Sequence, residues 1–190
     1  MLTALALALT TTLAAAPADT APPGAIVAGV NLPGTVEVAG HTLILNGSAV
    51  RKKVFFKVYA AGLYLTAKSS DANAILAADS VRRMFLQFVR DVGKDKMCEA
   101  WDDALKDNTP NPSAQLTADF KTLCGYMQDL KEKDQMMFTY VPGTGTEISV
   151  AGKVQGTIAG KEFADAILRA WIGPKPGPGE GFKHDILGAK

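Results

Sequence analysis

Apolar side chains recur with a period of two along the first half of the chain, which predicts β-strands. Apolar and polar side chains alternate in residues 35–38 and again in residues 41–45. A glycine-containing turn separates the two segments, as in a hairpin. Residues 54–66 continue as a longer strand rich in Val, Phe and Tyr, which suit a pleated and largely buried surface. Residues 82–89 are apolar on both faces, which predicts a central strand. The first half is therefore predicted to form most of a sheet.

The period then changes to 3.6, which predicts helices. Two apolar stripes separated by a Pro-containing turn predict an αα-hairpin: Met97, Trp101, Ala104 and Leu105, then Leu116, Phe120, Leu123, Met127 and Leu130. Residues 136–158 return to strand alternation, and residues 161–172 form an amphipathic helix that ends at Gly173-Pro174. Such grouping of strands and helices, with hairpin-length connections, predicts an α+β fold whose helices cover one face of an antiparallel sheet. The other face needs a cover of its own or a ligand.

The ends of the chain predict processing and linker segments. Residues 1–16 are apolar or small and carry no charged side chain, and small residues follow, so residues 1–18 are predicted to be a signal peptide for export to the periplasm or the outside. Residues 19–34 resemble a linker, residues 35–174 the domain, and residues 175–190 a Gly/Pro-rich tail. The leader is shorter than the ~20 residues that span a bilayer, so no stable membrane insertion is expected.

Composition and the absence of known motifs reduce the range of possible functions. The 190 residues suit one domain, and 20 basic against 19 acidic side chains give a net charge of +1, which argues against nucleic-acid binding and against attachment to anionic lipid by net charge. His41 and His184 have no Cys, Asp or Glu at metal-ligand spacing, so no metal is predicted. Nucleophile-elbow, Walker and dinucleotide-binding patterns are absent from the sequence, so no cofactor is predicted and hydrolase, NTPase and dehydrogenase functions lose support.

Cys98 and Cys124 occupy the inward stripes of the two paired helices. Counted from the turn between the helices, their heights differ by about one helical turn or less, at ~1.5 Å per residue. A disulfide and a pair of buried thiols both fit this spacing. No histidine is near in sequence to activate either thiol, so a structural role is favoured over a catalytic one.

Arg51 and Tyr59 are the candidate functional residues. They share strand parity, and a turn at Lys52-Lys53 would fold residues 43–51 back along residues 54–66 and bring the guanidinium toward the phenol. A buried arginine requires an anionic or polar partner, which predicts an anion site. The alternative is a solvated arginine in a turn beside a core tyrosine, and the pattern by itself favours that alternative.

Two stretches carry a family resemblance. Residues 45–51, LNGSAVR, leading into residues 56–65, FKVYAAGLYL, resemble the chalcone isomerase superfamily, and most closely its bacterial chalcone isomerase-like branch. Residues 160–176, which contain GKEFADAIL and WIGPKP, agree with this resemblance. The likeness extends over residues 36–187. It implies an open-faced β-sandwich, in which a large antiparallel sheet carries a layer of helices and a ligand cleft lies between them.

The resemblance also implies two functions for Arg51. In the plant enzymes an arginine at this position polarises a substrate that cyclises onto an enone. Tyr59 stands where the enzymes have threonine and resembles the fatty-acid-binding members, in which Arg and Tyr are thought to hold a carboxylate. By the same alignment, Lys96, Glu99 and Asp103 replace the tyrosine, lysine and asparagine that serve catalysis in the enzymes, so the catalytic water-holding set is not expected.

Three hypotheses follow. The first is an exported, non-catalytic protein that binds a small amphipathic acid, fatty-acid-like, through Arg51 and Tyr59; an apolar slot would be lined by Phe55, Ala61, Leu63 and Phe85. The second is an intramolecular lyase, an isomerase of the chalcone isomerase type, with Arg51 as electrostatic catalyst. The third is a structural or assembly partner without a small ligand.

Overall fold

The computed structural model describes residues 22–189, so the predicted signal peptide lies outside the described residues. Nine strands and five helices alternate in groups within this range. The strands are β1 (Ala25–Val27), β2 (Val30–Leu32), β3 (Thr35–Val38), β4 (His41–Lys53), β5 (Phe56–Leu65), β6 (Arg82–Phe88), β7 (Gln135–Val141), β8 (Gly145–Val150) and β9 (Lys153–Ile158). The helices are α1 (Ala72–Ala77), α2 (Lys94–Asn108), α3 (Ala114–Gly125), α4 (Lys161–Ile172) and α5 (Glu180–Ile186).

Strands β3 to β9 form one seven-stranded sheet in chain order, and every neighbouring pair is antiparallel. The helices pack on one face, so the predicted α+β class is confirmed. Strand β6 lies in the middle of the sheet, as its apolar pattern predicts. Among residues 22–189, no helix is both long and apolar enough to cross a membrane.

The period of two assigns the side chains of β5 to two faces. Tyr59, Ala61 and Leu63 belong to the large core under the helices. Ala60 and Tyr64 belong to a smaller core on the opposite face. Both cores are apolar, which explains why the central strands carry apolar residues at nearly every position.

A hairpin of β1 and β2 covers part of the opposite face, in the segment where the sequence predicts a linker. Leu32 is fully buried there, and the Tyr64 hydroxyl donates a hydrogen bond of 3.1 Å to the Pro33 carbonyl oxygen. The two strands have only three residues each, which is too short for alternation to be visible beside the flanking Pro and Gly. The linker prediction therefore missed a structural element.

The predicted C-terminal tail also differs from the structure. Its apolar patch lies on helix α5, and Phe182, Ile186 and Leu187 are buried in the large core. The prediction treated this patch as isolated because a Gly/Pro-rich segment separates it from α4. Phe182 and Ile186, at i and i+4, share one side of the helix, and Leu187 follows at its C-cap, so one short helix and its end are enough to bury all three.

A disulfide joins Cys98 of α2 to Cys124 of α3, with the two Cα atoms 5.2 Å apart. The Ser113 hydroxyl accepts a hydrogen bond of 3.0 Å from the Leu116 amide and begins α3. Of the two alternatives that the spacing allows for the cysteines, the structure has the disulfide. It locks together the two helices that cover the middle of the sheet.

A β-bulge at Asn46 attaches α5 to strand β4. The Asn46 side chain is buried; it accepts a hydrogen bond from the Ser69 amide (2.8 Å) and donates to the Ile186 carbonyl oxygen (3.3 Å). A Cβ atom at Gly47 would lie only 2.4 Å from the same carbonyl oxygen. The end of α5 can therefore rest on β4 only because residue 47 has no side chain.

We expect Gly47→Ala to lower the free energy of unfolding by about 1–3 kcal/mol, because the new methyl group forces backbone atoms of α5 away from β4. Chemical denaturation measures the loss, and limited proteolysis of residues 173–179 reports the release of α5. Gly125→Ala is the matched control, since its Cβ would meet nothing within 4 Å at the end of helix α3. Equal stability of the two variants would contradict the tight approach.

Candidate functional site

Arg51 and Tyr59 lie directly opposite each other on β4 and β5. The turn between these strands is formed by Val54 and Phe55, two residues later than the predicted turn at Lys52-Lys53. A register shift of one residue after Arg51 places Tyr59, and not Val58, opposite Arg51, so the two residues share the helix-facing side of the sheet. Strand pairing with one bulge thus positions both functional candidates.

The Tyr59 phenol is held in an aromatic enclosure. Its ring packs edge-on against Phe88, with centroids 5.6 Å apart, and against Phe182 at 6.1 Å. The phenol oxygen accepts a hydrogen bond of 2.9 Å from Trp171 Nε1. Because the oxygen accepts from Trp171, its own hydrogen remains available to an acceptor. Tyr59 can therefore serve as a fixed hydrogen-bond donor.

Burial raises the pKa of Tyr59 above the ordinary value for a phenol. The positive charge of Arg51 and the hydrogen bond from Trp171 act in the opposite direction, but burial is the larger effect. A phenol with a raised pKa stays protonated at neutral pH. The site thus contains a phenol donor rather than a phenolate.

Arg51 is half-buried beside the loop that joins α4 to α5. Its Nη1 lies 3.8 Å from where a Cβ on Gly177 would stand. None of the ion pairs within residues 22–189 includes Arg51. A guanidinium without a carboxylate partner, next to a phenol donor, is suited to hold an anion.

The four apolar residues predicted to line a slot divide into two groups. Ala61 and Leu63 are fully buried on the same face as Tyr59. Phe55 is 93% exposed at the turn, and Phe85 packs in the opposite core because it pairs with Gly62 rather than with a helix-facing residue. Phe55 and Phe85 therefore do not line a space with Tyr59.

The space between the sheet and the helices is filled by aromatic rings. Trp101 packs edge-on against Phe138 and Trp171, with centroids 5.6 and 5.7 Å apart. A cavity there has about 10 Å³, enough for about one water molecule, and is lined in part by Leu63 and Arg82. These rings occupy the region between sheet and helices where the sequence predicts a slot, and the cavity beside them is too small for a fatty acid.

A groove of about 410 Å³ lies instead between β4 and α5. Its lining combines apolar residues, among them Ala49, Val50 and Phe182, with the polar or charged Ser48, Lys52 and Asp185. Ala49 precedes Arg51 by two residues on the same strand face, and Phe182 contacts the ring of Tyr59, so the groove adjoins the Arg51–Tyr59 pair. Trp171 and Phe182 were not predicted as site residues; the only signal for them is their apolar position in the last two helices.

A family model described as chalcone isomerase-like matches residues 24–188. The chain belongs to this family. The match includes the β1–β2 hairpin and helix α5, which agrees with the buried Val30 and Leu32 of the hairpin and the buried Phe182 and Ile186 of α5. No curated protein sequence matches the chain significantly.

The fold of this chalcone isomerase-like chain is also found in a solved structure, a fatty-acid binding protein of Arabidopsis thaliana. The two structures superpose with a TM-score of 0.67 and 18% sequence identity, over 86% of this chain and 95% of the plant protein. At this identity the likeness establishes the fold. The predicted antiparallel sheet with a helical layer is confirmed.

The three residues that the resemblance aligns with the catalytic set of the enzymes do not contact Tyr59. Lys96 and Glu99 pair with each other at 2.7 Å, with side chains 70% and 60% exposed, and Asp103 is also exposed. None of them contributes to the enclosure of Tyr59. Within residues 22–189, no cluster of three or more His, Cys, Asp or Glu side chains is arranged to hold a metal ion.

Proposed function

We propose that this chalcone isomerase-like protein is a non-catalytic binding protein for a small amphipathic acid, fatty-acid-like in its chemistry. The observation that carries the proposal is the half-buried Arg51, which lies opposite the Tyr59 donor and has no carboxylate partner in residues 22–189. A carboxylate accepts hydrogen bonds from both groups at once. Such charge-assisted bonds are shorter and stronger than neutral ones.

The groove beside α5 offers space for the ligand next to Arg51 and Tyr59, in a lining that is partly apolar and partly polar. Its volume of about 410 Å³ is within the roughly 300–1,000 Å³ that is typical of ligand clefts. Ala49, Val50 and Phe182 offer apolar contacts, while Arg51 and Tyr59 stand at one side to hold the polar end. An acid with a short to medium alkyl chain meets both requirements.

Export belongs to the same proposal. Residues 1–18 have the composition of a signal peptide, and the disulfide between Cys98 and Cys124 supports an oxidising compartment, where disulfides persist. The proposed location is the periplasm or the cell exterior.

The test compares dodecanoate with its methyl ester, which has the same chain but no charge, by isothermal titration calorimetry. We expect the wild type to prefer dodecanoate. We expect Arg51→Ala to bind dodecanoate about 10–100-fold more weakly, because a hydrogen bond to a charged group contributes about 1.5–3 kcal/mol. Arg51→Lys keeps the charge and should lose less, and Lys68→Ala, at an exposed site, is the control.

Three outcomes would overturn the proposal. Equal affinity for dodecanoate and its ester would show that no carboxylate is recognised. Conversion of a chalcone to a flavanone that Arg51→Ala abolishes would favour the intramolecular lyase. Failure to bind any acid, with a ligand-free mass in native mass spectrometry, would favour an assembly partner.

A further inference from the structure

The β4–β5 turn carries an exposed apolar tip formed by Val54, Phe55 and Phe56. Their exposed fractions are 79%, 93% and 59%. Single exposed apolar side chains are common on protein surfaces, but three in succession at the end of a hairpin form one protruding patch. We call these three residues the hairpin tip.

The backbone conformation at Val54 is one that favours Gly, Asn or Asp over a β-branched residue. Val54 is the first of the two residues between β4 and β5 and has a φ of 56°. Two-residue hairpin turns use Gly, Asn or Asp at such positions, and a β-branched side chain is strained there. The sequence thus keeps an apolar side chain where folding alone favours a small or polar one, which indicates that the side chain serves a contact outside the domain.

Four cations surround the hairpin tip: Lys52, Lys53, Lys57 and Arg90. We call them the basic collar. Lys52 and Lys57 lie directly opposite each other, and the Arg90 guanidinium stands 4.6 Å from the centre of the Phe56 ring.

Few acidic side chains of the domain neutralise the positive charges of the basic collar. None of the ion pairs within the described part of the chain includes a collar residue. Glu99 is close enough to Lys53 to be influenced by it, but its carboxylate pairs with Lys96. Like charges directly opposite on neighbouring strands destabilise a sheet, so an external anionic surface would relieve this repulsion.

We infer that the hairpin tip docks reversibly on an anionic phospholipid bilayer. Phe55 and Phe56 would enter the interfacial region with Val54, and the collar would contact the phosphates. Aromatic side chains favour this interface, and basic residues next to it are attracted to anionic lipid. The net charge of +1 conceals this property, because three lysines are concentrated in residues 52–57.

A lipid surface fits the tip better than other occupants. A symmetric contact with a second copy through the tip would bring the two basic collars together, which is unfavourable. A single-stranded nucleic acid is bound along grooves with stacking platforms, whereas this tip protrudes. The inference goes beyond the proposed function and needs no bound acid. It also places Arg51 and Tyr59 near the base of the docking hairpin.

The test is co-sedimentation of the full mature chain with vesicles at low salt. We expect at least tenfold stronger binding to vesicles of equimolar phosphatidylglycerol and phosphatidylcholine than to phosphatidylcholine alone. V54N/F55G replaces Val54 by Asn, which tolerates the positive φ of residue 54, and Phe55 by Gly, so it should fold about as well as the wild type and yet lose binding at least tenfold.

A second pair of variants separates local charge from net charge. Lys52→Gln/Lys53→Gln/Lys57→Gln should lose binding to the anionic vesicles, and added salt should weaken the wild type in the same way. Lys68→Gln/Lys106→Gln/Lys121→Gln removes the same charge from exposed sites elsewhere and should bind like the wild type.

Four results would overturn the inference. The first is that the wild type does not bind anionic vesicles, and the second is that V54N/F55G binds them as well as the wild type does. The third is that the two lysine triple variants lose binding equally. The fourth is that V54N/F55G leaves vesicle binding intact but abolishes binding to a single-stranded oligonucleotide or to a second copy of the chain.

Discussion

Asp165→Ala is expected to lower the free energy of unfolding by about 3–5 kcal/mol, because it leaves the charge of Arg82 buried without its carboxylate. The Arg82 and Asp165 side chains are only 4% and 16% exposed and form an ion pair of 2.5 Å between β6 and α4. Lys161 pairs with the other carboxylate oxygen at 2.6 Å. Arg82 would keep its bond to the Ile75 carbonyl oxygen (3.1 Å) and its position over the Tyr140 ring, neither of which supplies negative charge.

Asp91→Ala provides the control for that measurement. Asp91 pairs with Lys131 at 2.8 Å, but both side chains are more than half exposed, at 61% and 71%. Surface pairs of this kind contribute about 0–1 kcal/mol. Urea denaturation of the two variants should therefore separate them clearly. If Asp165→Ala costs no more than Asp91→Ala, water reaches Arg82 and the pair is not a structural connection between sheet and helix.

Removal of the disulfide is the second large effect. Cys98 and Cys124 are 26 residues apart, and a closed loop of this size constrains the unfolded chain by roughly 3.5 kcal/mol in the chain-entropy model. Cys98→Ala/Cys124→Ala should lose about this amount in chemical denaturation. The folded sheet and the Arg51–Tyr59 pair should be unaffected, because neither cysteine contacts them through a hydrogen bond.

Reduction of the wild-type protein checks the same quantity without a substitution. The reduced wild type and the double variant should unfold at the same denaturant concentration. If the oxidised and reduced proteins unfold at the same denaturant concentration, the disulfide contributes nothing to stability. It would then no longer support the proposal of an oxidising compartment.

The strands and helices of the main sheet and its covering layer could be predicted because each has a regular apolar period. Helix α4 follows the predicted residues 161–172, since its inward positions recur without interruption. The β1–β2 hairpin and helix α5 could not be predicted in the same way. Their strands and helix are only three to seven residues long and lie among Pro and Gly. Such short segments contain too few apolar positions to show a period of two or of 3.6.

Some residues of the candidate site could also be predicted from the sequence, and others could not. The approach of Arg51 to Tyr59 could be predicted from parity and a turn, but the turn lies two residues later than predicted, and only the register shift after Arg51 places Tyr59 directly opposite it. Phe55 and Phe85 were misplaced because strand parity breaks down at a turn and says nothing about alignment with the next strand. The hydrogen bond from Trp171 to Tyr59 spans 112 residues of sequence, and no local pattern predicts it.

The sequence by itself determined the α+β class, the order of the main elements from β3 to α4 and the shared strand face of Arg51 and Tyr59, because these follow from the period of side chains along each strand and from short turns. Only the tertiary structure decided that aromatic rings fill the space beneath the helices, that the groove lies beside α5, and that the apolar residues 54–56 stand exposed at the end of a hairpin. Packing against distant segments decides which space stays open, and one-dimensional periodicity contains no information about those contacts.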